Sequence, residues 1–376
     1  MDLVPLHRSE IQVGGEAPYD IFDLHGNKLL SKGVLIASES VWERVLERGW
    51  RDGGGEAASG ARRAEREAPP PPPTVFEKVE AFSGELGLLH DAVGGGRAPD
   101  AGAAIHDLAG RVLACFEADQ DAMLAALQIG AATDSASSRM LHVCVLAELM
   151  TDRLGLDPAM RRAIRAATLS YDLGMHALHA ALSMQASGLT GEQQAQLHAH
   201  PQLGVDLLRR AGVDDEVWLD SVLSHHERVD GSGYPRGLRE PDISQAARVL
   251  AIADIYSAMI RPRAYRGAIQ AREAMREIFL ERGRQVDPEL AAGLIKAVGI
   301  YPPGSFVRLS CGEVAVVVGR TDNASLPEIR SVVGMEGMPR AVPVARDPQD
   351  PLYAIIATLP PSEYRFPMAP VRKLWR

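Results

Sequence analysis

The spacing of hydrophobic and polar positions changes character along this chain. Between Ile11 and Ile36 lie two short β-favouring runs, Tyr19-Asp20-Ile21-Phe22 and Val34-Leu35-Ile36, on either side of His25-Gly26-Asn27, which predicts a hairpin. Ser38 then caps a helix through Arg48, with Val41, Val45 and Leu46 on one face and Gly49 just past its end. From Val75 onward the apolar residues recur at three- and four-residue spacing, as in Leu108, Val112 and Leu113 and again in Met123, Leu124 and Leu127, which predicts helices. Gly94-Gly95-Gly96 separates two of them. Asp157-Pro158 opens another, with the acid at the cap and proline in the first turn, and it runs toward Asp172. Thr190 and Gln193 form a capping box ahead of a helix through Ala195, and Gly212 closes the next. After about Ile300 the pattern turns to β: Ser305 to Leu309, Val314 to Val318, Ile329 to Val333 and a last strand from Tyr353 to Thr358.

Arg51 to Pro73 contains three consecutive glycines, mixed Arg and Glu, and five consecutive prolines. Such a stretch buries too little apolar surface to offset its ordering entropy, so it reads as a linker. The expected organisation is multidomain and mainly α: a small α+β N-terminal module over 1–50, a linker over 51–73, a helical domain over 74–298 and a small β domain over 299–376. No internal repeat of solenoid length is visible.

Composition narrows the function. The 376 residues are 46% hydrophobic and 24% charged, and no apolar run approaches the length of a membrane span. With no secretory pattern at its start, the chain is expected in the cytoplasm. Three distant cysteines, Cys115, Cys144 and Cys311, fit reduced thiols better than a disulfide framework. A net charge of −9 argues against DNA as a partner. A small anionic ligand needs locally positive ground, and between His225 and Arg266 seven Arg stand against five acids.

Candidate chemistry is concentrated in His225 to Pro235, read as His-His-Glu-Arg-Val-Asp-Gly-Ser-Gly-Tyr-Pro. Adjacent helical residues point about 100° apart, so His225 and His226 face one centre only if the helix ends there. Gly231, Gly233 and Pro235 supply such an ending.

At these residues the chain resembles the HD-GYP family of bacterial metal-dependent phosphodiesterases that hydrolyse cyclic-di-GMP. The match continues through Ala247-Arg248-Val249-Leu250-Ala251-Ile252-Ala253-Asp254 and Arg263-Ala264-Tyr265-Arg266. It covers roughly Val75 to Lys296 and implies an all-helical HD-type domain. It also implies a site with two or more metals, held by an early His, a His-Asp pair, a His-Pro pair, a His-His pair and a later Asp. On those positions His200, followed by Pro201, together with His225, His226 and Asp254, is identified as a metal ligand. Asp254 lies in an apolar stretch, where an unpaired charge would be costly.

The His-Asp pair departs from the family. Where the family has approximately Leu-His-Asp-Ile-Gly-Lys, this chain has Ser170-Tyr171-Asp172-Leu173-Gly174-Met175. Asp172 is kept as the bridging carboxylate. The register of the upstream helix puts Arg139 at the early His and Ser135 where some members carry an acid, with His142 three residues off. What remains is one half-site, Asp172, His200, His225 and His226, for one divalent transition metal, iron or manganese. Asp254 is the main remnant of the other half, and Arg139 is expected to place a fixed positive charge there. A phenol with a pKa near 10 is a poor ligand, so Tyr171 does not replace the His. His176, His179 and His198 are read as helix-surface residues.

Two readings follow, with Asp172 and Asp254 as the candidate catalytic carboxylates wherever there is turnover. In one, the chain is a cyclic-di-GMP signalling protein, weak or inactive as a phosphodiesterase, that regulates by binding the nucleotide, its linear product or a partner. In the other, it is an active phosphodiesterase using the surviving half-site. The resemblance places Arg228, Asp230, Gly231, Gly233, Tyr234, Pro235 and Arg236 at the substrate pocket. Tyr234 suits stacking on guanine and Arg236 suits a phosphate, while the same loop is implicated in contacts with diguanylate cyclase domains. A homodimer is left open.

Overall fold

In a computed structural model the described residues are 3–7, 10–13, 15–24, 26, 28–34, 36, 42–43, 45–46, 49–52, 72–130, 135–176, 178, 185, 188–261, 268–360 and 371–375. Most of the expected helix from Ser38 to Arg48, most of the proline-rich linker, His25, Asn27, Leu35, His179 and the Arg263 to Arg266 run lie outside them. The chain divides into two compact units, Met1–Pro71 and Pro72–Arg376.

In the first unit β1 (Leu3–Pro5), β2 (Ile21–Phe22), β3 (Lys28–Leu30) and β4 (Trp50–Asp52) form an antiparallel sheet in the order β1-β4-β2-β3. The hairpin partner of Ile21 is Leu30, which corrects the expectation that Val34 to Ile36 would be the second strand. Val34 and Ile36 are held instead by the 15–17 segment: Ala17 N–H donates to Val34 O, and Ile36 N–H to Gly15 O. Ile21 and Ile36 are fully buried in this unit's own core.

The second unit holds ten α-helices among the described residues: α1 (Val75–Gly94), α2 (Ala101–Ala118), α3 (Gln120–Gly130), α4 (Ala136–Arg153), α5 (Pro158–Thr168), α6 (Gly191–Arg210), α7 (Glu216–Ser224), α8 (Gln245–Met259), α9 (Ala271–Leu280) and α10 (Pro288–Val298). Their caps follow the sequence. Asp157 accepts from Ala159 and Met160 N–H with Pro158 in the first turn, and Thr190 and Gln193 close a full capping box. Two expectations are corrected. The helix after Asp157 stops at Thr168, so Tyr171 and Asp172 lie in the turn beyond it. The helix after Thr190 continues to Arg210, so His200-Pro201 is helix interior and not a helix start.

α4 and α8 are central. Of the eighteen residues of α4, fourteen are buried, and α8 is apolar nearly all round, as a helix surrounded by others must be. After α10 the strands β5 (Phe306–Leu309), β6 (Val314–Gly319), β7 (Glu328–Val333), β8 (Pro339–Arg346) and β9 (Ile355–Leu359) form an antiparallel sheet in the order β8-β7-β6-β5-β9. Its inner face shares the helical core through Phe306, Val314, Val316 and Val333. Among the described residues no helix is long and apolar enough to cross a membrane.

Candidate metal centre

The candidate ligands sit where helices end or are interrupted. Asp172 occupies the turn after α5, followed by a 3₁₀ turn over Leu173–Met175. Trp218 Nε1–H donates to Ser170 Oγ at 2.8 Å, which fixes the start of that turn. Gly174 lets the turn press against α6: a Cβ there would lie 2.1 Å from His200 O. α7 ends at Ser224 with His225 as its C-cap, and His226 follows outside the helix, as two adjacent side chains facing one centre require.

The tautomers of two histidines are fixed by the backbone. Pro201 has no N–H for the carbonyl of Leu197, four residues back in α6. His200 Nδ1–H donates into that freed carbonyl at 2.6 Å. At the end of α7, His225 Nδ1–H donates to Val222 O, also at 2.6 Å, using a carbonyl that a helix end leaves without a partner. A carbonyl only accepts, so each ring carries its proton on Nδ1 and each Nε2 keeps its lone pair.

Those two Nε2 atoms stand 3.2 Å apart. Two lone pairs at that distance repel unless a proton or a cation lies between them. Burial, together with the neighbouring His200, holds the His225 pKa down to about 4, and burial lowers that of His200, so neither ring supplies the proton at neutral pH. A metal ion resolves the conflict. Nitrogens each at about 2.1 Å from one ion stand roughly 3.0–3.4 Å apart, and 3.2 Å falls in that range. His226 joins them, with ligand atoms of all three rings within 4.8 Å of one another. Asp172 Oδ1 lies 3.7 Å from His200 Nε2. Three neutral imidazoles and a carboxylate suit a divalent transition metal.

On the other side of Asp172 the arrangement differs. Ser135 caps α4 by accepting Ser138 N–H at 3.2 Å, a structural role, and Arg139 follows one turn later. The Arg139 guanidinium, with 14% of its side chain exposed, pairs with Asp172 Oδ2. Its Nε–H donates to Tyr171 Oη at 3.1 Å and lies 3.6 Å from Asp254 Oδ1. Tyr171, fully buried, donates its hydroxyl to Asp254 Oδ1 at 2.6 Å. Burial opposes the charge of Arg139, but the neighbouring carboxylates, Asp172 first, raise its pKa well above the ordinary value. Asp254 is thus hydrogen-bonded to Tyr171, and its charge also acts on His200 and His225. His142 is apart from both halves, with Nδ1 3.1 Å from Ser257 Oγ.

The loop from Arg228 to Arg236 folds over Glu227, a residue of the motif that is not among the expected site residues. This buried carboxylate accepts Arg236 N–H at 2.7 Å and Leu238 N–H at 2.9 Å. Gly231 adopts φ +81°, and a Cβ on Gly233 would lie 2.4 Å from His226 O, so both glycines are required by the backbone path. Asp230 caps its own turn through Ser232 N–H at 2.9 Å. Arg228 donates to Glu227 O at 3.2 Å. The Arg236 guanidinium, exposed over 42% of its side chain, is paired with Asp220 at 2.9 Å. Tyr234 packs on His226, with ring centroids 4.6 Å apart, and on exposed His198, at 4.4 Å and 21° between planes. His198 thus has a partner in this loop, beyond the surface role expected of it.

Residues 122–290 match the family model of the HD domain. A cyclic di-GMP phosphodiesterase of Pseudomonas aeruginosa is 32% identical over 212 residues, which is 56% of this chain and 51% of that protein. The cyclic di-GMP phosphodiesterase response regulator RpfG of Xanthomonas campestris is 33% identical over 167 residues, 44% of this chain and 43% of its own. A 3'3'-cGAMP-specific phosphodiesterase of Vibrio cholerae is 29% identical over 161 residues, 43% of this chain and 35% of its own. The chain spans about half the length, or less, of these curated relatives. A solved HDGYP protein of Bdellovibrio bacteriovorus superposes with a TM-score of 0.48 at 15% identity, covering 78% of this chain and 98% of that one.

Proposed function

Because this chain belongs to the HD-GYP family, we propose that it is a cyclic-di-GMP signalling protein that holds one divalent metal and binds the nucleotide with little or no turnover. Asp172, His200, His225 and His226 would hold the ion, iron or manganese, which when bound supplies Lewis-acid stabilisation to a phosphate oxygen. The observation that carries the reading is the pairing of Arg139 with Asp172 and its approach to Asp254 at 3.6 Å. Both carboxylates of a two-metal arrangement are thereby engaged by protein cations or hydroxyls. Hydrolysis that needs charge stabilised on both attacking and leaving oxygens loses one of its two partners, a cost of roughly a hundredfold to a thousandfold in rate.

The residues around the half-site support nucleotide binding. Half-buried Arg228 offers a cation, and Tyr234 offers a ring for a guanine. His198 lies nearly parallel to that ring, in the place a stacked base would take, so a guanine there displaces an exposed imidazole. The Gly-Tyr-Pro loop also serves as the surface for a cyclase domain in this reading, and the protein acts in the cytoplasm. The second reading, an active phosphodiesterase, is supported by the 3.2 Å approach of the His200 and His225 nitrogens, a spacing that two ligands of one ion would have.

Equilibrium binding separates these from an inert remnant. Manganese-loaded protein is titrated with cyclic-di-GMP and with its linear form, beside Arg228→Ala. Saturable binding weakened in the variant supports the reading; no binding by the parent contradicts it.

A further inference from the structure

Resting on the one-metal reading, we infer that Arg139, clamped by Tyr171, is a built-in cation that fills the second half of this site and limits the chain to one metal ion. Asp172 Oδ2 and Asp254 Oδ1 converge on one centre, while Asp172 Oδ1 faces His200 Nε2 at 3.7 Å. Two carboxylates so placed, 5% and 8% exposed, are a ligand pair for a hard cation and are costly to bury without one. The centre is filled by a guanidinium, paired with Asp172 and 3.6 Å from Asp254.

Tyr171 completes the substitution. Its hydroxyl accepts from Arg139 Nε at 3.1 Å and donates to Asp254 at 2.6 Å, so one oxygen links the cation to the more distant carboxylate. Its ring also stands edge-on to His225, with centroids 5.0 Å apart. The charges balance accordingly. One guanidinium against two carboxylates leaves a single negative charge, and one divalent ion on neutral histidines brings the centre to a net positive charge suited to a phosphodiester. Unlike a metal ion, Arg139 is removed neither by a chelator nor by deprotonation. The carboxylate half of the site therefore keeps one of its two negative charges balanced in the metal-free protein.

The test counts metal and follows unfolding, with no nucleotide present. Protein purified anaerobically, loaded with manganese(II) and desalted is analysed for metal per chain. The parent is expected to hold one ion and the double variant Arg139→His, Tyr171→His two. Two ions in the parent, or one in a double variant that melts cooperatively, overturns the inference. Where the double variant does not fold, Arg139→Met decides. In EDTA it is expected to melt on the order of 10 °C below the parent, because two buried carboxylates lose their counter-ion, and added manganese(II) is expected to restore most of the loss. A melting temperature unchanged in EDTA overturns the inference. Rapid turnover of cyclic-di-GMP by a one-metal parent would sink the functional reading and leave this one standing.

Discussion

Oδ2 of Asp172 is paired with the guanidinium of Arg139, which leaves Oδ1 facing His200 Nε2 at 3.7 Å. One carboxylate is thus shared between a fixed cation and the candidate metal half-site. Replacing it tests both roles. Asp172→Asn is expected to abolish tight metal binding and to cost the metal-free protein about 3 kcal/mol in urea unfolding, because Arg139 is left with only Asp254 nearby. A variant as stable as the parent would show that the pair contributes nothing.

Pro201 acts through His200. It removes the N–H that would otherwise claim Leu197 O, and the imidazole takes that carbonyl. In Pro201→Ala the backbone competes for the same acceptor and the ring loses its fixed tautomer. Metal affinity is expected to fall about 10- to 100-fold, as on loss of other partners that orient a ligand, with the helix no less stable. Isothermal titration with manganese(II) beside urea unfolding separates the two effects, and unchanged affinity would remove Pro201 from the site.

Two buried histidines give the metal-free protein a pH dependence with a definite sign. Burial first of all lowers His90 and His225 to about 4 from an ordinary 6.5. The unfolded chain takes up protons below pH 6.5 while the folded chain does not until about pH 4. Stability is therefore full above 6.5 and falls as the pH drops through that window, by about 3 kcal/mol for each ring. His90, whose Nε2–H donates to Leu169 O at 2.8 Å, is the one to remove: His90→Gln is expected to flatten the slope by about one proton. Urea unfolding from pH 8 to pH 4.5 in EDTA measures it, and a flat profile for the parent would contradict the buried neutral state.

His198 covers the ring of Tyr234. If a guanine takes that place, His198→Ala removes a competitor and binding of cyclic-di-GMP is expected to tighten by up to about tenfold, the scale of one aromatic contact. Weaker binding in the variant would instead make the imidazole part of the nucleotide site.

Much of the site was legible because its residues report on backbone geometry. Adjacent His225 and His226 demand a helix end, and α7 ends at Ser224. The register that put Arg139 at the position of a lost ligand also led to the pairing with Asp172, yet the link through Tyr171 to Asp254 joins residues 83 apart and has no local signature. Glu227 was missed for a related reason. Its two acceptor roles exist only once the loop has folded back over it.

The fold was less legible where local rules are overruled. β8 escaped the strand reading because Pro339 and Pro343 interrupt its pattern, and both are tolerated because β8 is an edge strand of its sheet. The 20-residue α6 was read as two helices because Pro201 is a breaker by itself; the His200 side chain occupies the carbonyl that the proline leaves.

Turnover tests the central claim most directly. Protein purified anaerobically and supplied with iron(II) or manganese(II) is incubated with cyclic-di-GMP beside Asp172→Ala, and the linear dinucleotide and GMP are quantified. The account predicts bound metal in the parent and product no faster than in the variant. Product formed rapidly by the parent and absent from the variant would mean that the half-site suffices for hydrolysis, and would contradict it.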